Sequence, residues 1–300
     1  MNIVNTSFIK KGDIIQFGHF PQSQSEETEF HAVGNNIYLD NKENKVYKQF
    51  CENFSSKEDK YFNLEPILWE VVEVNQNYYR LLSLKMLIYS RLGDDDHNNC
   101  TYSNSDLRKY LNRDFYNLAF SSEEQRMILK TSLAGENSIP QISGNTSSVN
   151  CDSVFLPSLT ELNNIGTFRL TKDKTVYAES NVYCGNLNSW LTRTPGTPEE
   201  LGFCVYNTVK MIAQSYSGNG FQIRQAAVNH STGVAPEIII QIPNYAKMEQ
   251  MVTYVDKKRA LIDLVKNEQW KQGEKCPYCG GSFKGLLRKK CSSCGRIKDY

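Results

Sequence analysis

The sequence lacks the features that would place the protein in or across a membrane. No apolar run approaches the roughly 20 residues that a membrane-spanning helix needs, and no continuous apolar segment follows a basic start at the N-terminus. We therefore predict neither a membrane span nor a secretory signal. Of the nine cysteines, five are single, and this odd number argues against a disulfide framework and for the reducing cytoplasm. These single residues are Cys51, Cys100, Cys151, Cys184 and Cys204.

The sequence also lacks the motifs of several common enzyme classes. It has no glycine-rich phosphate loop after a strand, no GxSxG and no HExxH. Its four His are too dispersed to define a metal site, and His97 stands beside an acidic run, 94–96, without the alternation and closing Glu of a calcium loop. A thiol nucleophile formed by Cys184 or Cys204 with His230 has no local signature. Nothing in the sequence requires catalysis.

Four further cysteines are grouped near the C-terminus in the spacing C-x2-C-x11-C-x2-C. Two CxxC turns can bring four sulfurs to the corners of a tetrahedron, which suits Zn²⁺. Four thiolates leave no open position for a reactive water, so we predict a structural zinc ribbon over 273–300 that needs its metal to fold. The predicted ligands are Cys276, Cys279, Cys291 and Cys294.

The predicted ribbon is also the basic part of the chain. It has seven Lys and Arg against two Asp and Glu, whereas the rest of the chain has 27 against 31. The ribbon would therefore attract an acidic partner, and weak contact with nucleic acid is one interpretation. The alternative is that the charge only keeps the ribbon soluble, and the small number of aromatic residues in it favours this alternative.

Apolar residues make up 40% of the chain, enough for a large core, and their spacing predicts strands first. We expect an opening strand over 8–21, ended by Pro21, and then a polar surface insertion over 22–63 with a hairpin around 41–44. Two runs rich in β-branched and aromatic residues, 66–75 and 78–90, predict a second hairpin.

Helical patterns follow this hairpin. Capping boxes at 121–124 and 158–161 predict two helix starts, and 244–272 has the period of an amphipathic connecting helix. Between these segments, 166–243 is turn-rich, and its clearest strand is EIIIQI. A further helix is predicted with Ser103 or Ser105 as N-cap and with apolar residues at helical spacing, namely Leu107, Leu111, Phe115 and Leu118.

Several short segments occur in an order typical of one family. They are GDIIQFGHFPQ, EPILWEVVEV, LRKYLNRDFYN, AFSSEEQRMI, DSVFLPSLTEL, WLTRTPG and GVAPEIII. In this order the chain resembles the bacterial domain-of-unknown-function 6273 family over roughly 10–243, apart from the insertion. The resemblance implies an α+β domain over 8–243 with a C-type-lectin-like fold, as in formylglycine-generating enzymes: a small twisted mixed sheet, two or more helices and long loops.

The chain departs from this family pattern at two places. Ala235 stands where relatives carry an Arg in a GVRP motif, so any role of that Arg is missing here or has moved, for example to Arg224. The Cys pair of formylglycine-generating enzymes is not recognisable, although Cys184 and Cys204 fall in the corresponding region. Activity by analogy is therefore weakly supported, because a shared fold does not carry a shared function.

The function predicted from these observations is that of a non-enzymatic recognition module. Its loops over 166–235 would hold a small ligand or a protein partner, and the zinc ribbon would act as a docking arm. Trp190 beside Arg193 is interpreted as a surface recognition patch, and the favoured alternative is that Trp190 is a core anchor and Arg193 part of a satisfied structural ion pair. Two other hypotheses are a thiol-dependent oxidase of the formylglycine-generating type and a nucleic-acid adaptor. Candidate binding residues are Trp190, Arg193, Arg224 and His230.

Overall fold

A computed structural model of the chain describes most of residues 9–242 and a short part of the tail. The described residues are 9–52, 57–93, 100–133, 135, 138–143, 151–165, 172–180, 186–197, 199–201, 204–206, 208–214, 221–242, 282–284 and 290–292.

The described chain is α+β and rich in strands. Its helices are α1 (Asp106–Tyr110), α2 (Tyr116–Ala119), α3 (Ser122–Met127), α4 (Leu159–Ile165) and α5 (Val176–Ser180), with a 3₁₀ turn at Tyr102–Asn104 and a π-helical turn at Leu111–Phe115. Its strands are β1 (Ile14–Gln24), β2 (Phe30–Gly34), β3 (Ile37–Asp40), β4 (Lys45–Glu52), β5 (Lys57–Val74), β6 (Tyr78–Ser83), β7 (Ile88–Ser90), β8 (Thr131–Ser132), β9 (Gln141–Ile142), β10 (Cys151–Asp152), β11 (Val154–Phe155), β12 (Asn186–Pro195), β13 (Glu199–Leu201), β14 (Cys204–Tyr206), β15 (Thr208–Gln214), β16 (Phe221–Ala227), β17 (Thr232–Val234), β18 (Glu237–Gln241), β19 (Phe283–Lys284) and β20 (Lys290–Cys291).

The largest sheet has the order β11-β18-β6-β5-β4-β3-β2, with β1 also paired to β5. The long strand β5 connects its parts, since its first half pairs with β4, its second half with β6 and its middle with β1. The predicted hairpin is confirmed as β5 and β6, closed by the Asn75 N–H, which donates to the Tyr78 carbonyl oxygen at 2.9 Å. The predicted second strand, 78–90, is wrong beyond Ser83, because 88–90 forms β7 in the other sheet.

The polar segment 22–63 extends this sheet through β2, β3 and β4. The predicted hairpin around 41–44 is confirmed. Its turn is held by Asp40, whose Oδ1 accepts hydrogen bonds from the backbone N–H groups of Lys42 and Asn44, each at 2.8 Å. Short-range bonding of an Asp side chain to the next backbone groups is the usual chemistry of such a turn.

The first strand begins at Ile14, later than the predicted start at residue 8, and Pro21 does not end it. β1 continues to Gln24, and Pro21 lies opposite Leu64 beside an irregularity in the register, where a missing N–H is tolerated. A second irregularity surrounds Gly18, which has φ +72°. A Cβ at Gly18 would lie 2.6 Å from the ring of Phe120, so glycine is required there by conformation and by space.

Two of the helices after β7, α2 and α5, pack against β1 of the large sheet. Of the two predicted N-caps, Ser105 is the one that caps α1, since its Oγ accepts from the Arg108 N–H at 3.1 Å. The capping box at Ser121 is confirmed, with Glu124 bonded to the Ser121 N–H at 2.9 Å. Three of the four predicted core positions of this region, Leu107, Leu111 and Phe115, are fully buried, and Leu118 packs against them partly buried.

A second sheet has the order β16-β15-β12-β17-β7. It corrects the expectation that 166–243 is dominated by loops, because the described residues there are mostly strands. The polar residues that gave the segment its turn-like composition are inside the protein: Ser189, Thr192, Arg193, Thr194 and Thr232 are all buried. The predicted EIIIQI strand is confirmed as β18.

The buried apolar residues form two clusters. The larger one includes Trp69 and the helix residues above. The smaller one contains Val72, Leu82, Met86, Leu162, Trp190, Ile212 and Ala235, which come from both sheets and α4. It therefore joins the two sheets through side chains of β5, β6, β12 and β15.

The tail is described only as the antiparallel pair β19–β20, in which Phe283 lies opposite Cys291. The predicted connecting helix over 244–272 lies outside the described residues, as do Cys276, Cys279 and Cys294. Among the helices that the structure describes, none has the length and apolar character needed to cross a bilayer.

Candidate functional site

The most unusual group of side chains in the interior is a cluster of four buried charges, which we call the buried charge cluster: Arg80, Glu161, Arg193 and Glu237. Their exposed fractions are 5%, 0%, 0% and 0%, respectively. They come from β6, α4, β12 and β18, so the cluster joins both sheets and a helix. Buried charges of this kind are strongly destabilising unless each one is paired.

Glu161 is the centre of the buried charge cluster. Its Oε2 lies 2.5 Å from Arg193 Nη1, and its Oε1 accepts from Arg80 Nη1 at 3.1 Å. Oε2 also accepts the Ser158 N–H at 2.6 Å, while the Glu161 N–H donates to Ser158 Oγ at 3.1 Å. The capping box predicted at 158–161 is thus confirmed, and it fixes the carboxylate between the two guanidinium groups.

Arg193 is held from several sides. Its two terminal nitrogens donate to the carbonyl oxygens of Leu156 and Ser138, and its guanidinium carbon lies 5.8 Å from the centre of the Phe155 ring. These contacts connect β12 with the chain on both sides of β10 and β11. Arg193 is therefore a structural crosslink of the domain.

Glu237 is the least satisfied member of the buried charge cluster. Its Oε1 lies 3.3 Å from Arg80 Nε, but neither of its carboxylate oxygens has a hydrogen-bond partner among the described residues. Burial, together with the nearby charge of Glu161, raises the pKa of Glu237 to about 8. Burial raises the pKa of Glu161 as well, so the two carboxyls compete for the two arginines, and protonation is favoured on Glu237 because its pairing is the weaker. Arg80 is also paired with the half-exposed Glu73, 2.8 Å from Arg80 Nη2.

A second feature is a cavity of about 190 Å³, which we call the tyrosine cavity. It is lined by Tyr89 and its neighbours in β7, by Tyr110 at the end of α1, and by Tyr177 with Ala178 in α5. Tyr89 and Tyr110 are half-buried, so the cavity reaches the surface, whereas Tyr177 is 6% exposed and forms part of its inner wall. The remaining lining residues are Ile88 and Ser90.

The inner wall of the tyrosine cavity is rigidly supported. The ring of Tyr177 meets the rings of Phe20, Phe62 and Tyr47 at near-perpendicular angles, with centres 5.6, 5.1 and 6.1 Å apart. Its hydroxyl donates to Gln49 Oε1 at 3.4 Å. Edge-to-face packing of this kind fixes ring orientation. The cavity therefore has a preformed inner wall.

The hydroxyl groups of the tyrosine cavity stay neutral at physiological pH. Burial, reinforced by the charge of Glu179, raises the pKa of Tyr89 to about 12. Burial also raises the pKa values of Tyr110 and Tyr177. Neutral phenols can donate and accept hydrogen bonds, but they are poor bases. The arrangement suits binding better than proton abstraction.

A family model described as a domain of unknown function (DUF6273) matches residues 77–242. The chain belongs to this family. No curated protein and no solved structure matches the chain.

The DUF6273 match contains both features described above. The four residues of the buried charge cluster and all residues that line the tyrosine cavity lie within 77–242. However, β1 to β5 precede the matched residues, although β5 pairs along β6 and completes the large sheet. The folded unit is therefore larger than the matched segment.

The four predicted binding residues do not form one exposed surface. Trp190 is 1% exposed and Arg193 is fully buried, so the predicted Trp190–Arg193 surface patch is wrong, and the alternative of a core anchor and a buried ion pair describes their positions. The physical reason is that β12 lies inside the second sheet, between β15 and β17. The Trp190 ring there has Lys172 Nζ 5.3 Å from its centre.

The other two predicted residues lie nearer the surface. Arg224, in β16, is half-buried and donates from Nη2 to Gln222 Oε1 at 2.8 Å, while His230 is exposed in the turn after β16. Ala235, which replaces the Arg of the family motif, is fully buried in the smaller apolar cluster. Cys184 lies outside the described residues, and the structure describes the backbone of Cys204 in β14 but not its side chain.

Sequence reasoning missed most of the two sites. Arg80 is the one charged residue in the apolar run YYRLLS, and Glu237 begins the apolar run EIII. A charged residue within an apolar strand was therefore the sequence signal that could have indicated the buried charge cluster. The tyrosine cavity had no such signal, because Tyr89, Tyr110 and Tyr177 are far apart in the sequence. Only the fold brings them together.

The protonation of Glu237 predicts a pH dependence of stability. The folded pKa is about 8 against an ordinary value of 4.5, so the folded protein holds a proton that the unfolded chain releases in this window. The contribution of this group is therefore largest at low pH and falls as pH rises from about 5 to 8. Glu237→Gln, which is neutral at all pH values, should match the wild type at pH 5 and exceed its free energy of unfolding at pH 8.5 by on the order of 3 kcal/mol.

Urea unfolding at both pH values measures this difference, and the exposed substitution Glu26→Gln is the matched control. A difference between Glu237→Gln and the wild type that does not change with pH would mean that Glu237 is ionised in the fold.

Proposed function

We propose that this DUF6273 protein is a recognition module that binds a small ligand, or one side chain of a protein partner, in the tyrosine cavity. The observation that carries the proposal is the cavity itself, with about 190 Å³ of space between three elements. An apolar cavity of about 150 Å³ is enough to bind benzene. The tyrosine cavity therefore has room for a single ring or a group of similar size.

The composition of the tyrosine cavity supports the same proposal. Binding sites are commonly concave, largely apolar and lined by aromatic groups, with a few polar groups that orient the ligand. Here Ile88 and Ala178 supply apolar contact, and the neutral hydroxyls supply orientation. Two of the six lining residues, Tyr177 and Ala178, belong to the segment 166–235 that the sequence assigns to recognition.

We further propose a C-type-lectin-like fold for the domain and the cytoplasm as its compartment. The parallel pairing of β12 with β17 within an otherwise antiparallel second sheet supports a mixed sheet of that type. The odd number of single cysteines supports the compartment.

We also propose the structural zinc ribbon at the C-terminus, with Cys276, Cys279, Cys291 and Cys294 as ligands. Its support is the cysteine spacing, together with the placement of Cys291, which is 3% exposed in the β19–β20 pair. Within the described residues no three His, Cys, Asp or Glu side chains form a metal-binding group, so the proposal depends on the tail. Two further hypotheses stay predictions. One is that the basic ribbon docks an acidic partner or nucleic acid, and the other is oxidase chemistry at Cys184 and Cys204.

Binding in the tyrosine cavity predicts that single-ring probes bind saturably. Phenol, cyclohexanol and methyl glucoside should be titrated against the isotopically labelled protein, with the amide signals of 88–90 and 176–178 as the readout. Ser90→Phe, which places a ring at the lining, should weaken binding of the best probe at least tenfold. Val176→Phe is the matched control, because Val176 is 50% exposed on the same helix but does not line the cavity.

If none of the three probes binds, or if Ser90→Phe and Val176→Phe bind the probe equally well, the site assignment is wrong. Thermal unfolding of both variants shows whether either substitution has disturbed the fold.

The zinc proposal predicts one equivalent of zinc per chain in protein purified without added metal, measured by elemental analysis. Cys276→Ser and Cys294→Ser should each lower the zinc content strongly, because a three-thiolate site binds more weakly. Cys151→Ser, which lies in β10, should leave the content unchanged. Equal zinc contents in all three variants would show that Cys276 and Cys294 are not zinc ligands.

A further inference from the structure

The tyrosine cavity has a composition that selects a particular ligand charge. Three of its six lining residues are tyrosines, and they come from three different elements: β7, α1 and α5. None of the six carries a charge. The cavity therefore presents aromatic rings and neutral hydroxyls to whatever enters it.

The charged side chains that act on the lining tyrosines are acidic: Glu179 on Tyr89 and Asp114 on Tyr110. Two basic residues, Arg91 and Lys109, also adjoin the lining in the chain, and Lys109 Nζ is paired with Asp106 at 2.7 Å. Glu179 directly follows Ala178, and its carboxylate contributes to the raised pKa of Tyr89, so its field reaches the cavity wall. Glu179 Oε1 lies 2.7 Å from Lys174 Nζ, and both side chains are partly exposed, at 51% and 24%. The ion pair therefore lies at the surface, where solvent weakens it and leaves Glu179 able to attract a second cation.

Aromatic rings attract cations electrostatically, and this attraction is strongest where water is excluded. An anion would be repelled by the field of the Glu179 carboxylate, which acts on Tyr89, and would gain nothing from the aromatic rings. A primary ammonium would have to exchange its three hydrogen bonds to water for bonds to the neutral hydroxyls, whereas a quaternary ammonium has no N–H group to satisfy and can be held by the rings alone. A tetramethylammonium head is also about as large as benzene, which a smaller cavity admits.

We propose that the ligand group held by the tyrosine cavity is a quaternary ammonium. The inference rests on the proposed function, since it names the chemistry of the group that occupies that site. Tyr89, Tyr110 and Tyr177 surround the methylated head, and Glu179 supplies the compensating negative charge at the rim. Either a free small molecule or a methylated side chain of a protein can present this group.

The decisive experiment compares two probes of nearly the same shape. Choline carries a quaternary ammonium, and 3,3-dimethylbutan-1-ol carries a quaternary carbon in its place. Calorimetric titration of the full chain should give an affinity for choline about tenfold higher than for the neutral alcohol, the size expected of a partly desolvated cation–π site. Equal affinities would overturn the charge selectivity while leaving binding in the cavity intact.

Matched variants then separate the contributions of the aromatic ring, the hydroxyl group and the negative charge to the affinity for choline. Tyr110→Phe keeps the ring and should change the affinity for choline by less than about threefold, whereas Tyr110→Leu should weaken it about tenfold. Glu179→Gln should weaken choline and leave the neutral alcohol unchanged. A larger loss for Tyr110→Phe than for Glu179→Gln would show that a hydroxyl, and not the cation, determines recognition.

The result with phenol distinguishes the proposed recognition function from the proposed quaternary ammonium ligand. If phenol binds the tyrosine cavity and choline does not, the quaternary ammonium is wrong and the recognition function stands. If neither phenol, nor the other ring probes, nor choline binds, both are wrong. Choline that binds equally to wild-type protein and to Ser90→Phe occupies some other site, which also overturns the inference.

Discussion

The fold depends on the carboxylate of Glu161 lying between two buried arginines. A single unpaired charge in this interior would cost several kcal/mol, so the fully buried Glu161 and Arg193 each need the other, and Arg80 is paired with Glu161 and with Glu73. Arg80 belongs to the large sheet, Arg193 to the second sheet and Glu161 to the helix at their junction. Apolar contacts, such as those of the smaller apolar cluster, are not directional and tolerate several arrangements of these elements. The ion pairs and the capping box require specific geometry and therefore specify one arrangement.

The tyrosine cavity depends on the same arrangement through a short path of backbone pairing. β12, which carries Arg193, pairs with β17, and β17 pairs with β7, which forms one wall of the cavity. The chain before α5 is in turn fixed to the chain before β7, since the Thr175 N–H donates to the Met86 carbonyl at 3.1 Å and the Met86 N–H to the Asp173 carbonyl at 2.8 Å. The position of Tyr177 relative to Tyr89 thus follows from the pairing of β7 within the second sheet and from the bonds of Asp173 and Thr175 to Met86.

Local signals in the sequence predicted local structure well. The capping boxes at Ser121 and Ser158, the turn at 41–44 and the hairpin of β5 and β6 depend on residues close in the chain, and all are present. The second sheet was not predicted, because its strands contain buried Thr and Arg that are typical of loops. Glu161 shows how far prediction from local sequence reaches. Its hydrogen bonds to Ser158 follow from a spacing of three residues, whereas its pairing with Arg80 spans 81 positions and depends on the fold. The tyrosine cavity is likewise invisible to any local pattern.

The most direct test of this account is a double-mutant cycle between Glu161 and Arg193. Glu161→Gln keeps one acceptor oxygen for the Ser158 N–H, removes the charge and replaces the second acceptor oxygen by an NH2 group. Arg193→Met removes the guanidinium while filling part of its volume. The free energies of unfolding of the wild type, both single variants and the double variant should give a coupling energy on the order of 2 kcal/mol or more, because each single change leaves the other charge poorly paired. Additive effects, with a coupling energy below about 0.5 kcal/mol, would contradict the central role of this ion pair.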